Sequence, residues 1–399
     1  MKYKGLYQRI FEIIIIIIVA TALGMFSGGA TIFTMLFENE KCEECNCNVE
    51  DSANEIVRVY QEIMKSFYGD VDDKELKEIA INAMLSSLGD PNTRYMDIET
   101  SNDFNEKMLG EYKGVGLQIY NGEKGITVMS VFAGSPAQTL GMQIDDVIIS
   151  VQGQPVTELS ATEASILIKY GTPDTIKMEI LRGEEVIEYT VEKQTVIIDS
   201  VTNKIFRKQN KNIGYISLSV FASNSFEQFS YSLQQLENEG IDGLIIDIRD
   251  NTGGYLHSVT DILDLFLEKD EVLYQLKTKK ETEITKASDD EHRDYPIVIL
   301  TNSNSASASE ILAGALRESY GAYTVGTITY GKGTVQETVQ FDDGSIVKIT
   351  TKEWLTPNGN TINGVGISVD YLEELIGNYG DDTDNQLQKA IDVIIEMID

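Results

Sequence analysis

The spacing of hydrophobic positions divides the chain into segments of different kinds. From Ile10 to Phe37 the sequence is almost wholly apolar, with Ile13 to Ile18 unbroken and Glu12 as its one charge. Roughly 20 such residues suffice to cross a bilayer, so this run reads as a transmembrane helix or a signal sequence. Lys2, Lys4 and Arg9 precede it and Glu38 and Glu40 follow, which predicts a short cytoplasmic N-terminus with the bulk of the chain outside. Ser27-Gly28-Gly29-Ala30 offers the small residues of a signal-peptidase site. Thr31 to Phe37 continues the apolar run past them, and an uncleaved anchor is the favoured reading.

Between Asp51 and Thr100 the period is helical. Ile56, Val59, Tyr60, Ile63, Met64 and Phe67 recur at spacings of three and four, and Leu76, Ile79, Ala80, Ala83 and Met84 repeat the pattern before Gly89-Asp90-Pro91 ends it. From Gly114 short strands follow one another. From Val196 onward strands and helices alternate: a strand Ile213 to Val220, a helix Ser225 to Glu239, a strand Leu244 to Ile248, a helix Leu256 to Leu267 and a strand Val272 to Leu276. The apolar run Pro296 to Leu300 then leads into a helix from Glu310 to Ser319. A hairpin around Asp342-Asp343-Gly344 and an apolar-striped helix Asn385 to Met397 complete the pattern. Such alternation predicts a layered α/β core with ligands at the strand ends.

A length of 399 residues suggests two or three domains, and 42% hydrophobic residues is a globular content. The net charge of −32 excludes a nucleic-acid partner, because phosphates demand a basic surface. All three cysteines fall in Cys42-Glu43-Glu44-Cys45-Asn46-Cys47. They suit a local or intermolecular disulfide on an oxidising side, or an unstructured linker, and no fourth metal ligand stands nearby. Glu40-Lys41 before Cys42 excludes a lipid-attachment box. His257 and His292 are the only histidines and have no spaced partners, so no zinc motif exists and no cofactor is expected.

The candidate chemistry lies in Ser305-Ala306-Ser307-Ala308-Ser309-Glu310 and Gly331-Lys332-Gly333-Thr334-Val335-Gln336. The first stands at a strand-to-helix turn, where free backbone N–H groups and the helix dipole can stabilise an oxyanion, and the second supplies a lysine that burial can turn into a base. Ser307-x-x-Glu310 is equally a capping box with no chemistry. Gly326-x-x-x-x-Gly331-Lys332 imitates a phosphate loop, but Gly333 stands where a Mg²⁺-binding hydroxyl is required. His292 sits in a charged, exposed stretch. His257, three residues past Gly254, reads as peripheral, which leaves a Ser-His-Asp mechanism as the weaker alternative.

Together with Asp247-Ile248-Arg249-Asp250-Asn251-Thr252-Gly253-Gly254, these motifs resemble the C-terminal processing peptidases, or tail-specific proteases, from about residue 51 to the end. The resemblance implies Ser307 as nucleophile, Lys332 as general base and Gln336 as the residue that holds the lysine. It implies an oxyanion hole of the Ala308 N–H and that of Gly253 or Gly254. Gly114-Val115-Gly116-Leu117, with Ser135-Pro136-Ala137 and Gly141 to Gly153, resembles a PDZ domain, whose glycine loop turns N–H groups toward a terminal carboxylate. The helix Ala161 to Tyr170 would flank its groove, with Lys169 as a contact to the protease core. The helical segment ending in Asp90-Pro91-Asn92-Thr93-Arg94-Tyr95 resembles the family's N-terminal region and is assigned to packing or to homodimer contacts.

The expected organisation is an α/β and α+β multidomain protein. Residues 1–37 form a cytoplasmic tip and membrane helix, 38–50 a Cys-containing linker, 51–100 a helical region, 101–195 a β-rich PDZ domain and 196–399 a layered α/β serine protease core. The expected activity is that of a single-pass, membrane-anchored, extracytoplasmic Ser-Lys endopeptidase. It would cleave proteins with accessible C-terminal tails after PDZ recognition, in regulated processing of envelope or signalling proteins. A catalytically silent PDZ adaptor for such tails is the alternative.

Overall fold

The computed structural model describes residues 49–171, 173–290 and 292–399. The expected membrane run Ile10–Phe37 and the cysteines Cys42, Cys45 and Cys47 lie outside the described residues. Among those described, no helix is long and apolar enough to cross a membrane. The described residues fall into two units divided between Ile79 and Ala80. In the first, the helix Val49–Ser66 keeps Ile56, Val59, Ile63 and Met64 exposed. The Tyr60 hydroxyl donates to the carboxylate of Asp73 at 2.8 Å, where the next helix, Asp73–Ser86, begins.

The second unit opens with β1 (Arg94–Met96) and the helix Ile98–Leu109. Asp97 caps that helix by accepting from the Thr100 N–H at 3.0 Å, and Gly110 ends it in the left-handed conformation, φ 74°. A small β-rich module follows. After β2 (Glu111–Gly114) come β3 (Leu117–Gly122), β4 (Gly125–Val131), β5 (Val147–Val151), β6 (Gln154–Pro155), β7 (Thr175–Arg182) and β8 (Glu185–Glu192). They form a sheet of order β3-β4-β5-β7-β8 with β6 paired to β5. Alternation holds over Thr175–Ile180 of β7, where Ile176, Met178 and Ile180 are buried and Thr175, Lys177 and Glu179 are exposed, as expected of a sheet with one wet face. Ala164 and Ile168 of the helix Ala161–Tyr170 join the same core. The strand β9 (Gln194–Ile197) returns to pair antiparallel with β2, Glu111 opposite Ile197, and closes the module.

The larger core is built on β10 (Val201–Lys208), β11 (Lys211–Leu218) and β12 (Gly243–Asp247), with β13 (Val272–Lys277) and β14 (Thr282–Lys286) leaving for a second sheet. Then come β15 (Ile297–Thr301), β16 (Tyr323–Gly326), β17 (Thr334–Gln340), β18 (Ile346–Leu355) and β19 (Tyr371–Leu372). The main sheet runs β10-β11-β12-β15-β16-β19, parallel from β11 onward. Its central strands are apolar throughout because both faces are covered. Leu244 and Ile246 pack on one face with Phe229, Leu233, Val259 and Ile262 from two helices, Ser225–Asn238 and Leu256–Asp264. Ile245 packs on the other against Leu387, Ile391 and Ile394 of the helix Asn385–Ile398.

The second sheet is antiparallel, β1-β18-β13-β14 with β17 on β18. The segment Val272–Leu276, expected within the layered core, belongs here. It pairs with β18 at Leu276 opposite Trp354, a partner far ahead in the sequence that local periodicity does not reveal. The helix expected to run to Ser319 is α-helical over Ala308–Ala315 and widens to a π-turn at Leu316–Tyr320.

Candidate active site

Ser307 stands between the end of β15 and the helix Ala308–Ala315, with φ 58° and ψ −115°. A non-glycine residue at positive φ costs about 1–3 kcal/mol and persists only where its surroundings enforce it. Two neighbours of the same type help to do so. The Ser305 hydroxyl donates to the Ile248 carbonyl at 2.8 Å and the Ser309 hydroxyl to the Asn251 carbonyl at 2.8 Å, and both are fully buried. Of the three alternating serines, Ser307 alone reaches solvent.

Glu310 ties this turn to the lysine loop. Its fully buried carboxylate accepts the Ser307 N–H at 2.8 Å and the Lys332 N–H at 2.9 Å on one oxygen. The other oxygen accepts the Gly331 N–H at 2.7 Å and the Thr329 hydroxyl at 2.6 Å. The Glu310 N–H itself donates to the Ser307 carbonyl at 2.9 Å. The capping geometry legible in the sequence is therefore present, and the same carboxylate also fixes the backbone of Lys332. The far side of that loop is held by the buried Trp354, whose indole N–H donates to the Lys332 carbonyl at 2.9 Å. Gly331 and Gly333 permit the close approach: an added Cβ would lie 2.9 Å from the Val365 nitrogen and 2.7 Å from the Asn363 Cβ respectively.

Lys332 is half-buried. Burial first, and then the Arg94 guanidinium, push its ammonium below the ordinary lysine value, while Glu310 and Asp90 act the other way. A lysine so placed yields its proton more readily, as a general base must. The Gln336 amide donates to the Thr334 hydroxyl at 2.8 Å and the Thr350 hydroxyl at 3.1 Å. It is thus anchored on the β17–β18 hairpin beside the lysine loop.

The loop after β12 supplies the opposite wall. An added Cβ on Gly253, φ 99°, would lie 2.8 Å from the Ser307 Cβ and 3.0 Å from the Ala308 nitrogen, so only glycine lets the two loops meet. The Gly253 N–H is already committed to the Asn251 side chain at 2.9 Å. Gly254 presses on the Phe221 carbonyl, 2.1 Å from where its Cβ would be. Asp250 joins the two loops by accepting from the Asn302 and Asn304 amides at 2.9 and 2.8 Å.

Beneath this wall lies a cluster whose roles the sequence motif did not disclose. The buried Arg249 guanidinium donates to Asp247 at 2.6 Å, to Asp384 at 2.8 Å and to the Gln386 side chain at 2.9 Å, and it stacks 4.3 Å over the Tyr379 ring. Asp384 also caps the last helix through the Leu387 N–H at 3.0 Å. Burial alone would raise its carboxyl, but Arg249 and the Gly380 and Leu387 amides outweigh burial and hold it below the ordinary value. Both histidines are exposed: His257 stacks 4.9 Å from the Tyr255 ring, and His292 faces Glu268 at 3.6 Å.

Gly114, Val115, Gly116 and Leu117 lie in the small module between β2 and β3. The Val115 carbonyl accepts from the Ala137 N–H at 2.9 Å and the Gly116 carbonyl from the Phe132 N–H at 3.0 Å. Gly116 has φ 85°, and an added Cβ would stand 2.1 Å from the Ser135 Cβ. β3 is an edge strand beside the helix Ala161–Tyr170, the arrangement that accepts an added peptide strand. Lys169, expected to touch the protease core, instead binds Asp103 and Glu106 of the helix Ile98–Leu109, each at 2.6 Å.

Residues 212–372 match Peptidase family S41, residues 99–192 a PDZ domain and residues 19–100 the N-terminal domain of the activating protease CtpB. The carboxy-terminal processing protease CtpB of Bacillus subtilis (strain 168) is 33% identical over 365 residues, covering 88% of this chain and 76% of that one. The carboxy-terminal processing protease CtpA of the same organism is 32% identical over 375 residues, 93% of this chain and 78% of that one. Among solved structures, the photosystem II D1 C-terminal processing protease is 28% identical with a TM-score of 0.48, covering 81% of this chain and 87% of that one. The chain belongs to the carboxy-terminal processing proteases of peptidase family S41, with an embedded PDZ domain.

Proposed function

We propose that the protein is a serine endopeptidase with a Ser307–Lys332 dyad, anchored by its N-terminal apolar run with the catalytic part outside the cytoplasmic membrane. The observation that carries the dyad is the Glu310 carboxylate, one oxygen of which holds the amides of both residues. The neutral Lys332 amine takes the Ser307 hydroxyl proton as Oγ attacks the scissile carbonyl. The tetrahedral oxyanion is received by the Ala308 N–H at the helix start and by the Gly254 N–H, since that of Gly253 is engaged with Asn251. On collapse Lys332 returns the proton to the leaving amine, and water then releases the acyl group by the same steps in reverse. Gln336, fixed by Thr334 and Thr350, lines the lysine side of this site.

The PDZ module captures a C-terminal tail by adding it to the β3 edge, with the terminal carboxylate at Gly114–Leu117. The exposed apolar residues Ile56, Val59, Ile63 and Met64 on the first helix suit a homodimer contact. The test is digestion of an unstructured protein with an apolar C-terminus by residues 51–399, beside Ser307→Ala, Lys332→Ala and His257→Ala. Cleavage lost by about 10⁴-fold in the first two and kept in the third supports the dyad. An unmodified fragment that binds the tail and never cuts it would make the protein a PDZ adaptor.

A further inference from the structure

Asp90-Pro91-Asn92-Thr93-Arg94, the turn that ends the N-terminal helices, is built into the wall of the candidate active site. The Asn92 amide donates to the Thr334 hydroxyl at 3.3 Å, and the Thr93 hydroxyl accepts from the Thr350 N–H at 3.0 Å. These are the same two threonines that hold Gln336. The next residue, Arg94, lies directly opposite Lys348 in the antiparallel β1–β18 ladder. Opposed residues of such a ladder share a face, and like charges there repel. Lys348 also lies opposite Thr338 on its other side and stands 5.4 Å over the Phe104 ring.

Two other cations of this sheet are neutralised locally. Lys352 meets Glu337 at 3.1 Å and Lys277 meets Glu353 at 3.5 Å. Among the described residues, Arg94, Lys348 and Lys332 make no ion pair with a carboxylate. In a chain with 64 acidic and 32 basic residues, three uncompensated cations together are against composition. Two carboxylates act on Lys332 from the other direction, Glu310 and Asp90. Glu310 is spent on four donors, and Asp90 is engaged by the Thr93 hydroxyl at 2.7 Å and the Asn92 N–H at 3.0 Å.

We propose that Arg94 and Lys348 are positioning residues of the peptidase, two cations placed beside the lysine loop whose repulsion favours the neutral form of Lys332 and so its acceptance of the Ser307 proton. The inference rests on the reading of Lys332 as the base. The two lysines feel one another: burial first, then Lys332 and Arg94, push the Lys348 ammonium down to about 8. Lys348 therefore repels Lys332 only below that pH, while Arg94 does so throughout.

Removing a neighbouring cation raises the pKa of Lys332, so the acid limb of the activity profile moves to higher pH while activity above the limb is retained. The experiment measures kcat/KM against pH for the full chain in detergent and its Arg94→Gln, Arg94→Lys and Lys348→Met variants. In parallel, the pH dependence of acetic anhydride labelling of Lys332, read by peptide mass spectrometry, follows the lysine without reference to catalysis. In Arg94→Gln both curves are expected to move up by about half to one pH unit, which is roughly a three- to tenfold loss below the limb. Arg94→Lys restores them, and added salt shrinks the shift because Arg94 is exposed. A labelling curve unmoved in Arg94→Gln, or an activity loss equal at every pH, overturns the inference. A labelling curve that moves while the activity limb stays in place refutes instead the role of Lys332 as base.

Discussion

Replacing Glu310 by glutamine changes one oxygen for an NH₂ group at almost constant volume. The carboxylate accepts four hydrogen bonds, two on each oxygen. An amide oriented with its nitrogen toward Ser307 and Lys332 would set a donor against two backbone N–H groups. The opposite orientation faces the Gly331 N–H and the Thr329 hydroxyl, and a hydroxyl can rotate to accept instead. That orientation wins and leaves one buried N–H without an acceptor. A hydrogen bond to a charged group contributes about 1.5–3 kcal/mol, and Glu310→Gln is expected to lose about that much stability. Gly331 adjoins Lys332, so a displacement of the lysine loop approaching 1 Å is expected to lower kcat by roughly tenfold to a hundredfold. Glu310→Ala leaves all four donors unpaired and is expected not to fold at the core. The assay is urea unfolding of the fragment 51–399 beside kcat on an unstructured protein. A Glu310→Gln variant within about 0.5 kcal/mol of the parent and equally active would refute the claim that this carboxylate assembles the site.

Gly253→Ala is expected to abolish turnover while leaving tail binding intact, because its Cβ would sit 2.8 Å from the Ser307 Cβ; peptide anisotropy beside proteolysis checks both. Asp384→Ala removes one of the two carboxylates on the buried Arg249 and is expected to destabilise by about 3 kcal/mol at pH 7. Because the Asp384 carboxyl is held below its ordinary value, its contribution is present above the unfolded pKa of about 4 and fades as pH falls through the native one. The gap between parent and variant should therefore narrow in urea unfolding at pH 3. Gly116→Ala forces a Cβ to within 2.1 Å of the Ser135 Cβ at φ 85°. It is expected to weaken tail-peptide binding while cleavage of a short peptide that bypasses the PDZ module persists.

Of the main sheet, β11, β12 and β15 were legible in the sequence, the last two because coverage on both faces makes them continuous apolar runs, whereas β10, β16 and the two-residue β19 were not. Val272–Leu276 shows where such reading stops. Its apolar pattern is no different in kind, and only pairing with Trp354 and Leu355 places it in the second sheet. The serine and lysine motifs were recognisable one by one, and Ser307-x-x-Glu310 announced a cap. That the same carboxylate reaches the Gly331 and Lys332 amides depends on how two distant loops fold together, which no local spacing encodes. The partners of Lys169 were misplaced for the same reason: the acids it meets lie on a helix more than sixty residues earlier in the chain. Arg94 stood out only as part of the Asp90–Tyr95 motif, with no hint of a charge role, since that comes from a cross-strand position opposite Lys348.

The most direct test of the Ser307–Lys332 assignment is covalent capture. A peptidyl fluorophosphonate loses fluoride to an activated serine oxygen, and the adduct can be mapped by peptide mass spectrometry. One adduct is expected, on Ser307 and not on Ser305 or Ser309, forming at a rate that falls by orders of magnitude in Lys332→Ala. An adduct on another residue, or a labelling rate indifferent to Lys332, would contradict it.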